Sequence, residues 1–249
     1  MREEQSALIV TRSGADVVVD GDTVTKTHRH DTDPQALRQR LRVAVRCPEL
    51  LAPCGAEPDR VGDRWRTSWP RVDVVAAQPR DLPWRAAGEL LASLHGQPVD
   101  DLVLAPGAQQ RLRRAVDRLG TGSRADVIRT AASRLRLPPV GRETLVHGDF
   151  HLGQLGRHDG RWVLIDIDDL GVGDPRWDLA RPAGFWAAGL VPDVDWHAFL
   201  DGYRAAGGPA LPAGDPWPAL EPFARAAIIT AAANHPDDDL LVAACERML

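Results

Sequence analysis

Two short apolar runs, Thr144-Leu-Val146 and Trp162-Val-Leu-Ile165, break off into acids inside a stretch of chain otherwise patterned for helices. The first leads into His147-Gly-Asp-Phe-His-Leu-Gly-Gln154 and the second into Asp166-Ile-Asp-Asp169. Asp159-Gly160 supplies a turn between them, since both residue types tolerate turn backbone. The simplest geometry is a hairpin-like pair of strands that delivers Asp149, His151, Gln154, Asp166 and Asp168 to one place. A fold that accepts this insertion is mixed, not all-helical.

The rest of the chain supports a mixed class. Ala7-Leu-Ile-Val10 and Ala15-Asp-Val-Val-Val19 read as strands, and Asp20-Gly21 is a hairpin signal. Thr23-Val-Thr-Lys-Thr27 resumes the β-branched character and puts Lys26 on the return strand. Asp33-Pro34 opens a helix as N-cap and first turn. Leu37, Leu41, Ala44 and Val45 give that helix an apolar stripe, and Pro48 ends it. Trp65 to Val75 reads as a strand or strand pair. Beyond a boundary expected at Gln78–Pro83, helices are predicted over 84–95, 111–119, 125–135, 194–206 and 222–233, with a last one from about Asp238. The outline is α+β in two parts: a small strand-rich N-terminal lobe (1–78) and a larger, mostly helical C-terminal lobe (79–249).

Composition narrows the function. The net charge of −5 argues against nucleic acid as a partner. No apolar run approaches the length needed to span a bilayer, and the first residues lack a signal-peptide core, so the expected location is cytoplasmic with no membrane partner. The three cysteines, Cys47, Cys54 and Cys245, are sparse; Cys47 and Cys54 suit a reduced pair better than a disulfide, and the lack of a CxxC gives a zinc site little support. Lysine and arginine total 30, yet Lys26 is the only lysine. An ammonium is a compact point charge that an arginine fork does not imitate.

Oxygen ligands suit a hard cation such as magnesium, which is held by one or two carboxylates plus phosphates. A further carboxylate can orient a hydroxyl or accept its proton. Phosphoryl transfer needs these parts together with a cation on the phosphates. In order, His147-Gly-Asp-Phe-His-Leu-Gly-Gln154, Ile165-Asp-Ile-Asp168 and Gly173-Asp-Pro-Arg-Trp-Asp-Leu-Ala180 resemble the motifs of the aminoglycoside phosphotransferase and choline kinase superfamily. Leu90-Leu-Ala-Ser-Leu-His95 is similar to the helix before its catalytic region. The resemblance implies a bilobal protein-kinase-like fold and a small-molecule kinase that uses Mg2+ with ATP or GTP. It implies that Asp149 positions the acceptor hydroxyl. Gln154 and Asp166 would hold the metal, with Asp168 reaching a second ion, and Lys26 would contact the nucleotide phosphates. His147 would buttress the loop, and Asp174 and Asp178 would brace it and start a helix. The implied partners are a nucleoside triphosphate and a small acceptor: an aminoglycoside, another antibiotic or an amino sugar.

The chain departs from the family pattern in two places. Gln154 stands where the family usually has Asn, one methylene longer. The helix after Lys26 carries no acid to pair with the lysine, leaving Gln39 within it and Glu49 beyond it as candidates. Alternatives are a pseudokinase-like nucleotide-binding module, a sugar kinase resembling glucosamine kinase or maltokinase, and a metal-dependent phosphohydrolase built on His147, His151, Asp166 and Asp168. Trp186, Trp196 and Trp217 are candidates for stacking on a sugar ring. Asp193, Asp195 and Asp237 to Asp239 are candidates for attracting an amine. His28, His30 and His158 read as surface histidines.

Overall fold

The computed structural model describes residues 7–10, 14–75, 82–100 and 102–249. The chain divides into two compact units, Met1–Ala77 with Gly153–Asp168, and Gln78–Leu152 with Asp169–Leu249. Residues 78–81 of the expected boundary lie outside the described residues. The segment 153–168, which a single boundary near 78 would leave in the second part, groups with the first.

The first unit is built on an antiparallel five-stranded sheet in the order β1-β2-β3-β5-β4. Its strands are β1 (Ala7–Val10), β2 (Asp16–Asp20), β3 (Thr23–Thr27), β4 (Asp59–Val61) and β5 (Arg64–Pro70). Asp20 pairs with Thr23 across the hairpin, and Gly21 turns there with a φ of 53°, which a residue without a Cβ adopts freely. Helix α1 (Pro34–Arg46) starts as its sequence dictates, with the Asp33 carboxylate accepting from Gln35 N at 2.9 Å. Its buried residues are Leu37, Leu41, Val43 and Ala44. Val45, expected on the stripe, is exposed, because the buried face turns toward Val43 instead.

A second sheet of this unit, β6-β8-β9, joins β6 (Asp73–Val74) to the hairpin β8 (Leu155–His158) and β9 (Arg161–Leu164). The hairpin turns at Asp159 and Gly160, both with positive φ. Here the expected pairing is corrected. The strand before His147, β7 (Thr144–Val146), does not pair with β9. It pairs with β10 (Gly171–Gly173) in the second unit, while β9 pairs with β8. Gln154 closes a short 3-10 turn, Leu152–Gln154, that feeds β8.

The second unit is mostly helical: α2 (Trp84–His95), α3 (Ala108–Asp117), α4 (Ser123–Arg134), α5 (Arg176–Ala187), α6 (Asp193–Ala205), α7 (Trp217–Asn234) and α8 (Asp239–Glu246). Helices α2 and α6 touch through glycines. A Cβ on Gly88 would lie 2.2 Å from the Phe199 carbonyl oxygen, and one on Gly202 would lie 2.2 Å from that of Arg85. A core of Leu112, Ile128, Ile229, Leu241 and Val242, with neighbours, gathers α3, α4, α7 and α8. Among the described residues no helix is long and apolar enough to cross a membrane.

Candidate active site

In the second unit, the loop after β7 is fastened by one buried carboxylate. Asp178, on α5, accepts the backbone N–H of His147 at 2.7 Å and that of Gly148 at 2.7 Å. His95 Nε2 lies 3.0 Å from the same carboxylate, and Tyr203 Oη lies 2.7 Å from His95 Nδ1. Burial disfavours a charge here, but the His95 hydrogen bond and charge outweigh it and hold the Asp178 carboxyl below its ordinary value. His147 is fully buried, and Asp149 N approaches its Nδ1 at 3.4 Å. Phe150 stacks on Phe199 of α6 with ring centroids 6.0 Å apart. Gly148 has a φ of 80°, and a Cβ there would lie 2.3 Å from the Asp169 carbonyl oxygen, so the loop requires glycine.

These fastenings present Asp149, whose side chain is partly exposed. Two guanidiniums approach its Oδ1: Arg111 of α3 in direct ion pairing, and Arg181 of α5 at 3.7 Å. Arg111 also pairs with Asp169, whose backbone carbonyl accepts from Gly107 N at 3.1 Å. Sequence reasoning did not single out Arg111, Arg181 or Asp169. Asp169 was visible as the third acid after the apolar run, whereas arginines carry little signal in a chain this rich in them.

In the first unit, Lys26 Nζ lies 2.8 Å from Asp166 Oδ1 and 2.8 Å from Asp168 Oδ2. Burial pulls the ammonium down, but the two carboxylates outweigh it and hold Lys26 above its ordinary value. Asp168 is held well below the carboxylate range, with Lys26 and then His28 outweighing the cost of its burial. His28 is a correction: it is buried, with Nδ1 3.3 Å from Asp168 Oδ1 and Nε2 2.9 Å from Thr67 Oγ1. It lies two residues past Lys26, and a period of two puts both on one face of an extended chain.

The partner of Lys26 is thereby the carboxylate pair and not a helix side chain. Glu49 accepts from Cys47 Sγ at 2.9 Å, and that buried thiol is pushed up to about 12 by its burial and by Glu49. Gln39 Oε1 is buried without a hydrogen-bond partner among the described residues. All three cysteines are free.

Asp166 has a φ of 65°, a left-handed backbone that Asp tolerates better than most residues and that concentrates at functional sites. Gln154 is buried, and its backbone carbonyl accepts from the N–H of Ile165, the residue before Asp166, at 2.9 Å. The donor set of Asp166, Asp168 and Gln154 is entirely oxygen, and two of its carboxylates already converge on a cation, Lys26 Nζ. That chemistry fits a hard divalent ion held partly by phosphates. The histidine-rich hydrolase set finds no such support: among the described residues no three His, Cys, Asp or Glu side chains group to hold a metal.

Other candidates have structural work. Trp196 is core, stacked on Trp186 at 5.3 Å, and Trp217 meets Trp186 edge-on at 5.6 Å. Asp193 accepts from Trp186 Nε1, Asp238 caps α8, and Asp239 pairs with Arg124.

The model of the phosphotransferase enzyme family (APH) matches residues 35–217, most of the chain. No curated protein matches by sequence. Among solved structures, a choline kinase from Streptococcus pneumoniae superposes with a TM-score of 0.67 at 11% identity, covering 98% of this chain and 91% of its own. An amicoumacin kinase in complex with AMP-PNP, Ca2+ and Ami gives 0.62 at 15%, covering 99% and 87%. A type I macrolide 2'-phosphotransferase gives 0.55 at 19%, covering 98% and 91%. At these identities the likeness carries the fold, which is protein-kinase-like. With the family model spanning most of its length, the chain belongs to the phosphotransferase enzyme family and is a small-molecule phosphotransferase.

Proposed function

We propose that the protein transfers the terminal phosphoryl group of ATP or GTP to a hydroxyl of a small molecule. Asp149 is the residue that aligns the acceptor. Its carboxylate accepts the hydroxyl hydrogen bond, and then the proton, at Oδ2, since both guanidiniums approach Oδ1. Gln154, Asp166 and Asp168 are the residues that would hold Mg2+. When bound, that ion would neutralise charge on the phosphates. Lys26 offers its ammonium to the phosphates, exchanging carboxylate oxygens for phosphate oxygens.

The observation that carries this reading is the placement of the only lysine at 2.8 Å from two of the three acids that follow the second apolar run, Asp166 and Asp168. A cation and two carboxylates so placed are the parts a nucleotide–metal complex needs, and a pseudokinase lacking an anchor for its lysine would not have them. The family's antibiotic and choline kinases favour a small, hydroxyl-bearing acceptor.

Thermal-shift titration with ATP or GTP, with and without Mg2+, tests the nucleotide half of the proposal. At a hundredfold excess over Kd, a nucleotide is expected to stabilise the native protein by about 2.7 kcal/mol. The shift should require Mg2+ and should largely disappear in Lys26→Ala. A wild-type protein that ignores both nucleotides would contradict the reading.

A further inference from the structure

The surroundings of Asp149 bear on what kind of acceptor the site takes, an inference that rests on the kinase reading above. Four charged groups meet there within the second unit: Asp149, Asp169, Arg111 and Arg181. Arg111 is committed to both carboxylates. Arg181 is not: its nearest carboxylate oxygen, Asp149 Oδ1, is 3.7 Å away, and among the described residues it donates no hydrogen bond. Phe185, one turn further along α5, covers one face of the guanidinium with the ring centroid 5.4 Å from Cζ. Burial pushes the group below its ordinary value. Beyond the 3.7 Å approach to Asp149, its N–H donors have no hydrogen-bond partner among the described residues, at a guanidinium only partly open to solvent.

The position of Arg181 is fixed relative to the reacting carboxylate. Asp178, three residues earlier on α5, grips the backbone N–H groups of His147 and Gly148, so one helix carries both the clamp on the catalytic loop and the guanidinium beside Asp149. A guanidinium fork with idle donors suits a carboxylate or phosphate, and it repels an ammonium. Several of the acids that would welcome an amine elsewhere in this unit are engaged: Asp174 with Arg176, Asp193 with Trp186, Asp239 with Arg124.

We infer that the acceptor of this phosphotransferase carries an anionic group near the hydroxyl that is phosphorylated, and that Arg181 receives that group. Arg111 keeps Asp149 and Asp169 in place and sets the side from which the acceptor approaches. The substrate class is then hydroxy acids or phosphorylated polyols, and not polycationic aminoglycosides or choline-like amines.

Two charge-matched series test the assignment: glycerate, glycerol 3-phosphate, glycerol and 3-amino-1,2-propanediol; and gluconate, glucose and glucosamine. Phosphoryl transfer from nucleotide, or competition with the protein's basal nucleotide hydrolysis, is measured for each. An anionic member is expected to lead in each series, and the first series separates carboxylate from phosphate. Arg181→Gln should lower kcat/KM for that member about tenfold to hundredfold, mostly through KM, the worth of a charged hydrogen bond. Arg181→Lys should recover part of the loss, and circular dichroism should show both variants folded. Preference for a cationic or neutral member, no engagement of any anionic member, or an equal loss on all members would overturn the inference. If wild type with Mg2+ neither binds nor turns over ATP or GTP, the kinase reading itself fails. Hydrolysis with a cationic preference removes only the charge assignment.

Discussion

Three groups converge on the buried carboxylate of Asp178: the backbone N–H groups of His147 and Gly148 in the loop after β7, and the His95 ring. Replacing it with alanine would leave all three buried and unpaired. Removing one partner of a buried charged network costs about 3–5 kcal/mol, and for a chain of this size that lowers Tm by roughly 6–20 °C. Calorimetry on Asp178→Ala checks this, and a Tm within about 2 °C of wild type would contradict it. Legibility at this scale followed local pattern. Asp166 stood out because it ends an apolar run, where a carboxylate is an anomaly, and Asp149 because of the motif around it. His28 was misread as exposed because its burial depends on Asp168 and Thr67, distant in sequence. The partners of Lys26 were sought on the next helix, while the fold supplies them from residues 140 and 142 positions away. Arg111 and Arg181 left no mark, since nothing in the sequence separates a site arginine from a solvated one.

At the scale of elements, helices were the readable part. Their 3.6-residue stripes and caps are local, and α1, α2 and α8 begin within a residue of where Asp33-Pro34, Trp84 and Asp238 place them. Strand pairing was readable at the Asp20-Gly21 hairpin, where β2 meets β3, but not around the site. Both β7 and β9 look like strands from their own residues, yet β7 pairs with β10, distant in sequence, while β9 closes a tight hairpin with β8. The glycine contacts of α2 and α6 were equally hidden, because a helical glycine in sequence announces a cost and not a partner. Gly88→Val should therefore push the Phe199 backbone away and destabilise the protein by about 3 kcal/mol, the upper end of overpacking costs. Gly120→Ala, where an added Cβ meets nothing within 4 Å, serves as the control and should stay within about 0.5 kcal/mol of wild type. Chemical denaturation of the two variants side by side checks the contrast. Equal stabilities would mean that α2 and α6 do not depend on that contact.

Over the whole molecule, the α+β class was legible because strands crowd the first third and helices the remainder, and the kinase-like fold was implied only by the resemblance of the motifs between His147 and Ala180. The division into units was legible only in part. The chain passes from the second unit to the first after Leu152 and returns after Asp168. As a result, the stretch from His147 to Asp169, continuous in sequence, contributes Asp149 to one unit and Gln154, Asp166 and Asp168 to the other. Hydrophobic pattern marks strands and helices; it does not say which compact unit a strand joins. The account assigns both parts of that stretch to one reaction, with Asp149 on the acceptor and the acids of the first unit on the nucleotide. The most direct test is the rate of phosphoryl transfer from ATP or GTP with Mg2+ in wild type and in Asp149→Asn, using whichever acceptor wild type phosphorylates. The account predicts a rate about 100-fold to 10,000-fold lower in Asp149→Asn, with nucleotide binding retained. Equal rates in the two proteins would contradict it.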